Sequence, residues 1–144
     1  MVIEKTNFDL RSIITLPSDD THAQSNTALE DVPGMSFPVV NGATYNWLLF
    51  LLHNSGTTPD LDIAYSVPAG AGRHGEASGA NGTGSALATE VRITGSGGDR
   101  TVLMFAQYRP TADGTIQLRY AQGVSDASDT KILAGTTLII LQSP

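Results

Sequence analysis

Three histidines, His22, His53 and His74, are the side chains best suited to proton transfer or metal binding here, and no cysteine is present to act as nucleophile or thiolate ligand. Asp19, Asp20 and His22 lie close enough in sequence to share a metal ion. No second histidine stands at ligand spacing, and Pro17, Ser18 and Thr21 make the surroundings a polar turn. His53 closes an apolar run and reads as a strand end meeting solvent. His74 and Glu76 lie in a glycine-rich stretch, a poor place to hold catalytic geometry. Gly70-Ala71-Gly72-Arg73-His74-Gly75 matches G-x-G-x-x-G, but Gly79, Gly82 and Gly84 follow where a dinucleotide site needs a helix, so the match reads as chance. No G-x-S-x-G elbow occurs. Asp19, Asp20, Asp99, Asp113, Asp126 and Asp129 fall in turn-rich stretches, and no pair among them can be nominated as a glycosidase couple. Asn81-Gly82-Thr83 fits the glycosylation sequon, which matters only in a secretory context. The expectation is a chain that is not an enzyme, with no cofactor and no metal.

The elements that carry these residues read as strands. Residues 44–53 are apolar on both faces, with Tyr45, Trp47, Leu49 and Leu51 on one and Leu48, Phe50 and Leu52 on the other, as in a strand covered on both sides. Residues 60–67 alternate cleanly, with Leu61, Ile63, Tyr65 and Val67 pointing one way. Further strands are expected over 27–32, 37–40, 87–94, 101–109, 115–124, 131–133 and 137–141. Pro33-Gly34 reads as a turn, and Asn41-Gly42 between apolar runs as a hairpin turn. Residues 69–86, rich in Gly, Ala and Ser, read as a long loop. Tyr45, Trp47, Tyr65 and Tyr120 read as packing residues, while Tyr108 could equally belong to a sugar-binding platform. No stretch has capped helical periodicity. The fold class is therefore all-β, a jelly-roll-like β-sandwich over residues 26–144, preceded by residues 1–25, whose spread apolar residues read as a first strand or equally as an extended N-terminal arm, the arm being the reading preferred.

Length and charge narrow the partners. A chain of 144 residues suits one domain with one core. Eight Lys and Arg against fourteen Asp and Glu leave a formal net charge of −6, and the basic residues are scattered, which argues against nucleic-acid binding. The longest apolar run, residues 47–52, is far short of the ~20 residues needed to span a bilayer, so no membrane partner is expected. Residues 1–16 carry Glu4, Lys5, Asp9 and Arg11 and do not read as a signal peptide.

Several phrases together carry a family likeness. They are Leu29-Glu30-Asp31-Val32-Pro33-Gly34-Met35-Ser36-Phe37, Val40-Asn41-Gly42-Ala43-Thr44-Tyr45, Pro59-Asp60-Leu61-Asp62-Ile63-Ala64-Tyr65-Ser66-Val67-Pro68-Ala69-Gly70, Gly114-Thr115-Ile116-Gln117-Leu118-Arg119-Tyr120-Ala121-Gln122, and Lys131-Ile132-Leu133-Ala134-Gly135-Thr136-Thr137-Leu138. Residues 27–142 resemble a β-sandwich domain of tailed-bacteriophage structural proteins, of the head-decoration or fibre-head type, similar to trimeric jelly rolls. The resemblance implies a structural or adhesive virion protein with no catalytic residues. The short segment before the domain favours a capsid decoration (cement) protein. It would be a homotrimer on the outer capsid surface, made in the host cytoplasm, with the major capsid protein and itself as partners. Phe8, Leu10, Ile13, Ile14 and Leu16 of the arm are then the expected capsid contacts. Trp47, Leu49 and Leu51, with Ile139 and Leu141 of the equally two-sided last strand, are the expected trimer interface.

The competing expectation is a tail or head-fibre receptor-binding module. In that case the glycine-rich loop would meet a host surface glycan, with Tyr108 or His74 as contacts. A polysaccharide hydrolase and a cellular carbohydrate-binding or cytokine-like module are more distant readings.

Overall fold

A computed structural model describes residues 9–77 and 85–144, and Phe8, Gly79, Gly82, Gly84 and the Asn81 sequon lie outside the described residues. Within them the chain forms twelve strands and no helix. They are β1 (Asp9–Thr15), β2 (Asp20–Thr21), β3 (Glu30–Val39), β4 (Thr44–Ser55), β5 (Leu61–Ser66), β6 (Gly70–Glu76), β7 (Ser85–Ala86), β8 (Val91–Ile93), β9 (Gly98–Pro110), β10 (Gly114–Ala121), β11 (Thr130–Ile132) and β12 (Thr137–Ser143).

These strands make two antiparallel sheets facing each other. The larger runs β1-β12-β4-β9-β6-β7, with β11 bridging β4 to β2, and the smaller runs β3-β10-β5-β8. From β3 to β6, and again from β8 to β11, the chain alternates between the sheets. The all-β sandwich with jelly-roll-like winding expected from the sequence is what forms. The alternation has a local cause. Asn41-Gly42, with Gly42 at φ 85°, turns the chain from the smaller sheet to the larger one, so the expected hairpin is instead a corner between sheets. Asp113 fixes it by accepting from the Asn41 amide at 2.7 Å, and Pro110 accepts from the Gly42 amide at 3.1 Å.

Pro33-Gly34 does not end a strand. Both residues sit inside β3 as a bulge, Gly34 at φ 75°, and the register against β10 shifts between Gln117 and Arg119. The Gln117 side chain fills the bulge, donating at 2.8 Å to the Val32 carbonyl. An amide side chain thus replaces the ladder bonds that the extra residues disrupt.

Two larger expectations are corrected. First, residues 9–15 are no free arm: β1 pairs antiparallel with β12 from Asp9↔Gln142 to Thr15↔Thr137, and β2 pairs with β11. Leu16 is buried in the core and Ile14 packs against it. Apolar residues at this spacing join the nearest unpaired sheet edge. Second, the glycine-rich stretch does not begin as a loop: Gly70–Glu76 pairs along β9 from Gly70↔Pro110 to Glu76↔Met104. The glycines admit the Tyr108 ring, which a Cβ at Gly70 or Gly72 would strike.

The core lies between the sheets. Trp47 is at its centre, edge-on to Phe37 (ring centroids 5.4 Å apart) and to Tyr65 (5.3 Å). Leu49, Leu51, Met104, Ile116, Leu118, Leu138 and Ile140 surround it. At one end Gly95 is buried against the loop after β4. Any side chain there would meet the Gly56 carbonyl and the Ser55 hydroxyl, and the Gly95 amide already donates to Asp60 at 2.8 Å. Gly95→Ala is expected to destabilise the fold by about 1–3 kcal/mol through overpacking. A urea unfolding midpoint equal to that of the parent protein would refute this.

Candidate functional site

The alternation of β4 decides which residues are available for contact. Tyr45, Trp47, Leu49, Leu51 and His53 point into the sandwich and are buried, so Leu48 and Phe50 point outward. On β9 the parity is the same, with Val102, Met104, Ala106 and Tyr108 inside and Leu103, Phe105 and Gln107 outside. Antiparallel pairing then lines the outward residues up in rows across the larger sheet. One row reads Ile13, Ile139, Leu48, Phe105, each directly opposite the next. A second reads Thr15, Thr137, Phe50, Leu103. A third reads Leu10, Leu141, Asn46, Gln107, Arg73.

This face is apolar where a soluble sheet face ordinarily alternates to polar. Leu10 is 60% exposed, Ile13 58%, Phe105 44% and Phe50 39%, with Leu48 and Leu103 close behind. Four strands at ~4.8 Å and three rows at ~7 Å make a central block of roughly 400 Å², in which eight of twelve positions are apolar and Thr15, Thr137, Asn46 and Gln107 are polar. The whole face, six strands wide and about eight residues long, approaches ~800 Å², one partner's share of a standard protein interface.

The expected contact residues divide accordingly. Trp47, Leu49 and Leu51 are corrected: they are at most 1% exposed within the single chain and have no surface to offer a partner. Ile139 and Leu141 are half-buried on the outer face, beside Leu48 and Phe105. Of the expected capsid contacts, Leu10 and Ile13 are exposed, Ile14 is half-buried, Leu16 is inside the core, and Phe8 is outside the described residues. Asn46, Leu48, Phe50, Leu103, Phe105 and Gln107 were not singled out from the sequence. Their signal was the second apolar face of residues 44–53 together with Leu103 and Phe105, which share its parity.

All three histidines are buried, contrary to their reading as turn, strand-end and loop residues. His22 places Nδ1 2.9 Å from the Ala23 carbonyl and Nε2 2.8 Å from the Ala28 carbonyl, with its ring edge-on to Tyr120. His74 bonds through Nε2 to the Thr89 carbonyl at 2.8 Å, and burial holds its pKa below the usual range. His53 has neither ring nitrogen partnered; burial, and secondarily the Arg100 charge, lower its pKa to about 4. His74 and Tyr108, the expected glycan contacts, are both inside, and the Tyr108 hydroxyl donates to the Pro68 carbonyl. Neither can reach a sugar at the surface. Among the described residues no three His, Asp or Glu side chains converge as metal ligands. Asp19 instead accepts from the Ala134 amide at 2.8 Å. Gly70-Ala71-Gly72-Arg73-His74-Gly75 is extended backbone of β6.

Fold and face together define a β-sandwich protein whose six-stranded sheet carries exposed or half-buried apolar residues across β1, β12, β4 and β9. No protein-family model, curated protein or solved structure matches the chain.

Proposed function

We propose that this chain is a structural subunit of a larger assembly, joined to copies of itself through the outer face of its larger sheet. The observation that carries the reading is the row Ile13, Ile139, Leu48, Phe105 with Phe50 and Leu103 beside it, exposed on an otherwise ordinary soluble domain. The resemblance of residues 27–142 to tailed-phage structural domains makes the assembly a virion. On that ground the chain is a trimeric capsid decoration protein on the outer capsid surface, with the major capsid protein as its second partner. Leu10, at the edge of the sheet on β1 and outside that row, is the residue left to meet the shell. Each bound trimer would bury area between capsomers and stabilise the shell by mass action. The receptor-binding alternative is less favoured, because the face is mainly aliphatic and its expected glycan contacts are buried.

Native mass spectrometry of the purified chain tests the first step. The expected result is a trimer for the parent protein and a folded monomer for Phe105→Asp, since a carboxylate at the centre of an apolar interface has no partner. A parent protein that is monomeric at micromolar concentration would overturn self-association. Copy number in the virion tests the second step. A ratio near that of the major capsid protein is expected, and a few copies per particle would move the protein to a tail or vertex.

A further inference from the structure

At one end of the sandwich β4 carries polar side chains into the core. His53 and Ser55 follow Leu51 on its inward face, and Thr130 of β11 lies directly opposite Ser55. All three are fully buried, and neither the His53 nitrogens nor the two hydroxyls have a hydrogen-bond partner. One row crosses the larger sheet here: Asp20, Ile132, His53, Arg100, each directly opposite the next. A proton on His53 would be a buried charge with fully buried Ile132 on one side and a like charge on the other. The two hydroxyls nearby are neutral and cannot offset it.

The other charged groups at this end are engaged elsewhere. Arg100 donates to the Thr94 carbonyl at 2.8 Å, and Asp99 accepts from Asn54 on the outer face at 2.6 Å. Lys131 pairs with Asp129 at 3.0 Å, and Asp62 with Arg92 at 2.9 Å. Asp60 accepts from the Gly95 amide, and Ile132 stands between Asp20 and His53. His22, beside β2, is held by the Ala23 and Ala28 carbonyls, with Glu30 3.8 Å away. The cover over His53 is thin. β11 is three residues long and β2 two, whereas β4 and β9 beyond them run twelve and thirteen. A short edge of this kind can lift off while longer strands stay paired.

We propose that His53 is an acid trigger for local opening at this end, in which β11 and β2 leave the edge of β4 while the rest of the sandwich stays folded. The sign follows from linkage. Burial, and secondarily Arg100, lower the closed imidazole from 6.5 to about 4, and opening returns it to its ordinary value. The open form therefore binds a proton that the closed form refuses, and opening grows as pH falls from about 6.5 toward 4. The gain in the opening equilibrium from pH 7 to pH 5 is about 20-fold. This device does not depend on the self-association proposed above.

Hydrogen exchange of the parent protein and of His53→Leu, at pH 7 and pH 5 and corrected for intrinsic exchange rates, is the test. In the parent, amides of β2 and β11 are expected to be less protected than those of β5 and β10 at both pH values. Their protection is expected to fall about 20-fold between pH 7 and pH 5. In His53→Leu, which retains His22, that fall should be absent; an equal fall there overturns the proposal. Protection of β2 and β11 equal to that of β5 and β10 would mean that only global unfolding exposes His53. Lower protection that is unchanged between the two pH values would mean that local opening leaves His53 buried. Either result overturns the proposal, and both are read on the parent protein alone should His53→Leu fail to fold.

Discussion

Trp47→Ala is expected to cost about 3–5 kcal/mol and to leave the protein largely unfolded in conditions where the parent is native. The indole fills the centre of the sandwich, edge-on to Phe37 of the smaller sheet and Tyr65 beside it, and no neighbouring strand can move in to fill the void. Phe50, three residues along the same strand, provides the contrast. It points out of the larger sheet and is 39% exposed. Phe50→Ser in the monomeric Phe105→Asp background is expected to change stability by no more than about 0.5 kcal/mol, the usual range for surface substitutions. Urea unfolding of the two variants separates the faces of β4. Comparable losses at both positions would mean that the facing described above is wrong.

Lowering the pH from 7 to 5 is expected to destabilise the protein by about 2 kcal/mol through His53 alone. The imidazole is buried with neither nitrogen partnered, and its pKa falls from 6.5 to about 4. Between those values the unfolded chain binds a proton that the folded chain refuses, so stability is full above about pH 6.5 and declines as pH falls toward 4. His74, whose pKa is also lowered by burial, adds to the decline in the same direction. Most carboxylates remain ionised at pH 5, which keeps their contribution small in this window. His53→Leu removes the titrating group and two unpaired nitrogens together. It is expected to match or exceed the parent at pH 7 and to lose clearly less stability on acidification. Equal losses in the two proteins between pH 7 and 5, measured by urea unfolding, would refute a neutral buried His53.

The same residues show how far the sequence reaches. Alternation was sufficient to place β5 within residues 60–67 and β10 at the start of residues 115–124, because a strand with one polar face can be oriented only one way relative to a core; Val124, expected on the inward face, lies exposed beyond the end of β10. Residues 44–53 offered no such asymmetry. With apolar side chains at both parities, either Trp47 or Phe50 could have faced the core. The facing was settled by β9 and β12, which pair on either side with Met104 and Leu138 opposite Leu49. The surface on which the functional reading now rests was therefore visible as a second apolar stripe but could not be told from the core.

Two features were decided only by partners distant in sequence. Residues 70–76, glycine-rich, have weak strand propensity of their own, and became β6 because the long edge of β9 was available and Tyr108 could lie over glycines without obstruction. Asn46 and Gln107, 61 residues apart, are unremarkable polar residues in a linear reading; antiparallel register alone sets them side by side on the outer face. The sequence by itself determined that this chain is an all-β sandwich with one apolar core, through its period-2 patterning and its Gly, Pro and Asn punctuation. Only the tertiary structure decided which apolar stripe is core and which is surface, since that depends on which strands pair, and pairing across a hundred residues leaves no local trace.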